Sequence, residues 1–403
     1  MKKIRKGDLK LIQEHNRTMV LNKIRTEGPI SRIELAKSNH ISPSTVASAV
    51  QELIKEGYVS EIGTGISSGG RKPVLLKFNP NHQYLFAVAV TNSLVILAQM
   101  NLEGSVHRKS THPISGLQGD ALVDLLLELM DSFIGEPDDP HRCIGISVTV
   151  PGIVDDKQGI VYYNSKLRMS NVPLKQMLED RYGLKTWLEN DMNAVVLAER
   201  RFGNYPYSDL IYISIGDGLG SGILINDRIM RGVHGGAGEF GHTSVTLNGI
   251  RCECGNVGCL DSYISWIAVY SRILTAITTG RPTVISKLIG GDYGKIVPAV
   301  YLEALRQGDR LAQGINEEVA EYLGAGIVNL INLFNPRALI LGGEMAIGNA
   351  ELLSKVQAYI EKHAMMIVKD ELVFGQSSLG EHDKLMGAAA ILLQDVLGFS
   401  ITD

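Results

Sequence analysis

Between Glu239 and Asp261 the chain reads EFGHTSVTLNGIRCECGNVGCLD, which gathers one histidine and three of its four cysteines. His242, Cys252, Cys254 and Cys259 offer one imidazole and three sulfurs, the four N/S donors that a closed tetrahedral zinc site takes. Gly255 and Gly258 fall between the thiols, where a tight loop needs residues without a Cβ. Without a metal, the same residues would be reduced buried thiols. A disulfide is disfavoured, because C-x-C sulfurs do not readily close on each other and nothing in the sequence points to export. Glu239 and Asp261 bracket the cluster, and a closed site has no use for them as ligands. The expectation is a structural zinc loop over 242–259 with two carboxylates free for another task.

The chain around this loop has 403 residues, more than one compact core holds, so two or three domains are expected. No run of about eighteen apolar residues is present, so no membrane span is expected. The N-terminus is charged and lacks the apolar segment of a signal peptide, and the clustered cysteines fit a reducing cytoplasm. Cys143, inside an apolar strand pattern, reads as a plain core thiol. The net charge of −4 is unevenly spread. Residues 1–80 hold 14 Lys and Arg against 7 Asp and Glu, so the remainder is acidic. A small basic head on an acidic body is the footprint of a nucleic-acid-binding domain joined to something else.

The head has a periodicity that a merely solubilising tail would lack. Residues 9–26 place Ile12, Met19, Val20 and Ile24 at helical spacing, and Gly28-Pro29 ends that helix. Ser31 with Glu34 is a capping box opening a second helix that is expected to bury Ile33, Leu35 and Ala36. Ser42-Pro43 opens a third, whose inner face is Val46, Val50, Leu53 and Ile54. Its outer face presents Pro43, Ser44, Thr45, Ser48 and Gln51, mostly small hydrogen-bonding residues suited to phosphates and base edges in a major groove. Two short strand patterns then flank a Gly/Ser-rich tip bearing Arg71 and Lys72, a wing able to reach a minor groove or phosphate. Residues 1–79 are therefore expected to form a winged helix-turn-helix domain whose partner is operator DNA.

From about residue 80, apolar strands alternate with helices, and several strands end in glycine-rich turns. Strands are expected at 84–91, 94–100, 143–150, 187–189, 210–215 and 338–341, with helices at 120–133, 192–202, 261–276, 311–334 and 383–397. That pattern is α/β, read as two lobes with a cleft between them.

Here the residues resemble a family. PGIVDDKQGIV at 151–161, Asn190-Asp191, GDGLGSG at 216–222, GAGEFGH at 236–242 and CECGNVGCLD at 252–261 are similar to the ROK family. That family comprises sugar kinases and sugar-responsive transcription repressors. The resemblance covers 80–400, and the head with SSGGRKPVLL at 67–76 resembles the repressor branch, xylose repressors included. It implies an actin-like (ribonuclease H-like) ATPase fold over 80–403. It also implies a sugar site at Gly152, Ser165, Asn190, Asp191, Glu239, His242 and Asp261, with His242 touching both sugar and zinc. In the kinases the residue matching Asp191 is the catalytic base. Two positions depart from the pattern. Asp261 stands where Glu is usual, and Lys166 and Met169 lie where many repressors carry Asn and Trp, so no particular sugar is implied.

Kinase chemistry needs more than the sugar site. The first phosphate loop of this family has an acid, two glycines and a threonine, whereas this chain has Ala87-Val88-Ala89-Val90-Thr91-Asn92. In the second loop Asp217 occupies the usual Thr position, and a carboxylate there repels a triphosphate by about 1–4 kcal/mol. The expectation is a sugar-responsive repressor, a homodimer or tetramer without enzymatic activity. The alternative is an active sugar kinase.

Overall fold

The computed structural model describes residues 6–64, 72–135 and 142–397. The head opens with α1 (Lys6–Glu27), β1 (Ile30–Ser31), α2 (Arg32–Ser38) and α3 (Pro43–Lys55), followed by the wing strands β2 (Val59–Thr64) and β3 (Val74–Phe78). Gly28 N–H donates to the Ile24 carbonyl at the end of α1. Ser31 and Glu34 form the reciprocal capping box of α2, and the Ser42 hydroxyl accepts from Thr45 N–H to cap α3 with Pro43 in its first turn. Val20, Leu21, Ile24, Leu35, Val46, Val50 and Leu53 make the inner face. Ile12 and Ile33 do not join it, being 48% and 63% exposed. The head's small core meets only the C-terminal half of α1, and Ile33 stands about 200° round its helix from Leu35. The wing tip, Arg71 included, lies outside the described residues, and Lys72 is exposed at its edge.

The body is built twice on one plan. In the first lobe β4 (Tyr84–Val90), β5 (Leu94–Asn101) and β6 (Val106–Pro113) form an antiparallel meander, and α4 (Asp120–Ile134) leads to β7 (Cys143–Val150). A side sheet follows from β8 (Ile153–Asp155), β9 (Ile160–Asn164) and β10 (Met169–Val172). Then α5 (Leu174–Tyr182) leads to β11 (Thr186–Asn190), which pairs parallel to β7, giving the sheet order β11-β7-β4-β5-β6. Next comes α6 (Asp191–Phe202). In the second lobe β12 (Leu210–Ile215), β13 (Leu219–Ile225) and β14 (Arg228–Ile229) repeat the meander. Helices α7 (Asp261–Ile264), α8 (Trp266–Thr278), α9 (Val284–Ile289), α10 (Pro298–Arg306) and α11 (Arg310–Phe334) lead to β15 (Ala338–Gly342). Helices α12 (Ala350–His363) and α13 (Met366–Lys369), strand β16 (Val373–Gln376) and α14 (Asp383–Val396) complete the order β14-β13-β12-β15-β16. The central parallel strands are covered on both faces and read as unbroken apolar runs, as in ALILG of β15, buried throughout.

Strand β6 was not expected, and two local expectations change. β6, VHRKSTHP, is an edge strand so exposed that it carries no hydrophobic pattern. The segment 216–222 is not wholly a loop, because β13 begins at Leu219. Its glycines serve packing: a Cβ on Gly222 would lie 2.2 Å from the Met192 carbonyl, so only glycine lets α6 approach the strand. The helix expected over 261–276 breaks at Ser265, whose backbone is extended and lets Trp266 N–H reach the Gly216 carbonyl.

The lobes are joined by a pair of crossed-over helices. α6 follows the last strand of the first lobe and packs on β12 and β13 of the second, while α14 follows the last strand of the second and packs on β4 and β7 of the first. They pack against each other so closely that a Cβ on Gly387 would meet Ala194 at 3.0 Å. Residues Asp191 to Glu199 are all buried, as expected for a helix enclosed on every side. On its other face α14 contributes Leu385, Ala388, Ala389, Leu392 and Leu393, joined by Leu397 just past its end, to a buried cluster that also holds Val20, Leu21, Ile24, Leu76 and Phe78 of the head.

Candidate functional site

The His-Cys loop is closed by short-range structure. Isolated bridges join Ser244 to Cys259 and Arg251 to Val257, and Val245 N–H donates to the Gly258 carbonyl. Gly258 has φ +76°, and a Cβ there would sit 1.8 Å from the Thr246 carbonyl. This folding brings one donor atom each of His242, Cys252, Cys254 and Cys259 within 4.8 Å of one another. Cys254 Sγ lies 3.6 Å from Cys259 Sγ, and Cys252 Sγ 3.6 Å from His242 Nδ1. Around a tetrahedral zinc, S···S and S···N separations of about 3.8 and 3.6 Å follow from the usual bond lengths. The donor set therefore fits such an ion. Burial, then the neighbouring thiols of Cys254 and Cys252, push the Cys259 thiol up to about 12, a cost that a bound dication relieves. The fourth cysteine, Cys143, is outside the cluster and half-buried, with its thiol raised to about 11 by burial.

With Nδ1 turned to the sulfurs, His242 Nε2 faces Glu239, 4.0 Å from its carboxylate. Burial raises the Glu239 carboxyl, His242 opposes the shift and Asp191 adds to it, so these three groups sense one another. Asp261 Oδ1 accepts from Leu219 N–H at 2.6 Å; burial raises this carboxyl against the pull of that N–H, of Lys166 and of His242. Asn190 caps α6, its Oδ1 accepting from Met192 and Asn193 N–H, while its Nδ2 donates to the Gly152 carbonyl at 2.9 Å. Gly152 has φ +101°, and a Cβ there would lie 2.4 Å from the Tyr163 carbonyl. Asp191 is nearly buried, Oδ1 accepting from Met192 N–H and Oδ2 from Lys384 Nζ at 3.1 Å. Asn190 thus contacts Gly152, His242 faces Glu239, and the charges of Asp191 and His242 act on Glu239 and Asp261 respectively. Ser165 is exposed, one residue before Lys166, whose ammonium donates to the Asp217 carbonyl at 3.0 Å and so ties the first lobe to the second. Met169 is buried in the first-lobe core.

The phosphate-loop positions are closed. Thr91 Oγ1 accepts from the backbone N–H groups of Ser93 and Leu94, the donors a phosphate would need at the β4–β5 turn. Asp217 and Glu344 repel each other at the second turn, with Asp383 and Asp191 further along the same wall. Lys384 is the cation among these acids. Burial works against its charge, but Asp191, Asp383 and Glu344 outweigh burial and hold the ammonium above its usual range.

Sequence reasoning missed Lys384, although it left a signal. A lysine in the first turn of a helix opposes the helix dipole, a cost that a nearby acid offsets. It also missed Arg231, which reaches from the second lobe to Glu189 at 2.8 Å and Asp156 at 3.2 Å in the first. In the head, Ser44 and Thr45 share their hydroxyls with Ser42 at 2.8 Å each, so both support the cap, while Pro43, Ser48 and Gln51 stand exposed.

A profile of the ROK family matches residues 93–395. The chain belongs to the ROK family. A MarR family profile matches residues 14–61. The xylose repressor of Caldicellulosiruptor bescii is 32% identical over 98% of this chain and 99% of its own. A crystal structure of a ROK family transcriptional regulator, a homologue of the Escherichia coli MLC protein, matches with TM-score 0.82 at 28% identity, covering 96% of this chain and 98% of that one. The ROK glucokinase of Streptomyces griseus, solved with glucose and AMPPNP, matches with TM-score 0.68 at 28% identity over 76% of this chain and 98% of its own. The fold is thus an N-terminal helix-turn-helix region followed by the two-lobed, actin-like ROK domain.

Proposed function

We propose that this ROK protein is a DNA-binding transcription regulator, a repressor of carbohydrate-utilisation genes, whose hold on its operator is altered by a monosaccharide bound in the cleft. The observation that supports this most is the state of Asp191: the carboxylate that would serve as a kinase base is held by Lys384. With one oxygen on the Lys384 ammonium and the other on Met192 N–H, the carboxylate serves as a hydrogen-bond acceptor for a hydroxyl. The closed β4–β5 turn and the wall of Asp217, Glu344 and Asp383 disfavour a triphosphate, so the cleft keeps its sugar-binding groups without ATP chemistry. Gly152, Ser165, Asn190, Asp191, Glu239, His242 and Asp261 are the residues assigned to the sugar, as paired acceptors and donors for vicinal hydroxyls.

Zinc at His242, Cys252, Cys254 and Cys259 is structural in this reading. It fixes the wall carrying Glu239 and Asp261. Pro43, Ser44, Thr45, Ser48 and Gln51 face the major groove, and Arg71 and Lys72 of the wing reach the backbone or minor groove. A homodimer or tetramer matches two-fold operators, and a cytoplasmic location follows from the DNA partner. None of the described helices is long and apolar enough to cross a membrane. The test is operator affinity with and without D-xylose, D-glucose and N-acetylglucosamine, in parallel with ATP turnover on the same sugars. Sugar-dependent operator affinity without turnover supports the reading; robust phosphorylation favours the kinase alternative.

A further inference from the structure

Two helices begin at the cleft and end at the head. α6 starts at Asn190-Asp191, and its 12 residues span about 18 Å to Arg200 and Arg201. α14 starts at Asp383-Lys384 and runs beside it, with Gly387 against Ala194. At their far ends, Leu197, Arg200, Ala390 and Gln394 face Ile12 and Met19 of α1 across a cavity of about 900 Å³. The sole described ion pair linking the near ends is Lys384 to Asp191, and the α14 end is also moored to the second lobe by Tyr212 donating to Asp383 at 3.2 Å. The cavity leaves α1 room to shift against the two helix ends.

We propose that Lys384 is the residue through which the sugar site is read: its ammonium holds Asp191 in the sugar-free chain, and the α6–α14 pair carries the loss of that contact to α1 of the head. This rests on the sugar-binding reading of Asp191. A sugar hydroxyl donating to Asp191 competes with Lys384 for the same carboxylate oxygen. Once displaced, Lys384 turns to Asp383 and Glu344, on its own helix and on the second lobe, so α14 changes its seat on the first lobe. Leu385, Ala388, Leu392 and Leu393 lie in the same buried cluster as Val20, Leu21 and Ile24, so a shift of α14 moves the base of the head. Lys384 is a positioning residue in this scheme.

The test uses full-length Lys384→Met and Lys384→Arg, with a duplex that the wild-type chain selects from a random pool and with D-xylose, D-glucose and N-acetylglucosamine as probes. Without sugar, Lys384→Met is expected to lose about tenfold in operator affinity while the responding sugar binds about tenfold tighter, because coupling is reciprocal. Its operator affinity then changes little when sugar is added, and Lys384→Arg restores the wild-type response. A melting temperature for Lys384→Met close to wild type shows that folding is intact. Unchanged operator affinity with a wild-type sugar response overturns the proposal, as does weaker sugar binding, which would make Lys384 a direct sugar contact. If no sugar affects the wild type but Lys384→Met still loses operator affinity, the sugar reading fails and the lever stands. If neither effect is seen, both fail.

Discussion

Replacing Asp191 by asparagine separates the sugar role of this residue from its place in the fold. The side chain is 7% exposed, and its two oxygens accept from Met192 N–H at 3.0 Å and Lys384 Nζ at 3.1 Å. Asparagine keeps the shape and one acceptor but removes the charge. The α6 cap survives, because Asn190 and not Asp191 accepts from both Met192 and Asn193. Losing the ion pair is tempered by Asp383 and Glu344, which still face Lys384, so the stability loss is about 1–2 kcal/mol. For a domain of this size that lowers Tm by about 2–8 °C. The sugar loses a charge-assisted hydrogen bond of about 1.5–3 kcal/mol, or about 10- to 150-fold in affinity. Isothermal titration with the sugar that raises the wild-type melting temperature measures this directly. Operator binding persists, weakened by about tenfold at most. Wild-type sugar affinity in Asp191→Asn, with the fold intact, would refute the assignment of Asp191 to the ligand.

Cys254→Ser should release the metal. Elemental analysis is expected to fall from about one zinc per chain to near zero, with sugar affinity lost before DNA binding; full zinc occupancy in the variant would contradict the donor set. Gln51→Ala should cost about 1–3 kcal/mol on the preferred operator and little on random DNA, whereas Arg71→Ala should weaken both and lower the salt slope by about one, as binding isotherms at several salt concentrations would show. Burial pushes the Glu199 carboxyl above its ordinary value of 4.5, against hydrogen bonds from Ser377 and Ser378. The folded state therefore binds this proton more tightly than the unfolded state, and stability falls as pH rises from about 4.5 through the raised folded value. Glu199→Gln should remove that component, so urea denaturation at low and neutral pH should differ less in the variant than in wild type.

Much of the architecture was legible because local rules agreed with the global fold. The capping residues Ser31 and Ser42 mark α2 and α3, and β7 and β12 read from their apolar runs at the observed bounds. The His-Cys loop was legible because metal ligands close in sequence need little folding to converge. Strands β6 and β8 to β10 were not, being short or exposed and so lacking a hydrophobic period. Gly220 and Gly222 misled because glycine in a strand looks like glycine in a phosphate loop until the α6 backbone is seen against it. Lys384 was hidden for a different reason: its partner is 193 residues away, and only the crossing of α6 with α14 brings the charges together.

The central claim is that the cleft is a sensor for the head. Fluorescence anisotropy of the selected duplex, titrated with the wild-type chain in the presence of each monosaccharide and without ATP, tests it most directly. The account predicts that at least one sugar changes operator affinity about fivefold or more, within the usual range of allosteric coupling. Operator affinity unmoved by every sugar, in a chain that phosphorylates one of them once ATP is added, would contradict it.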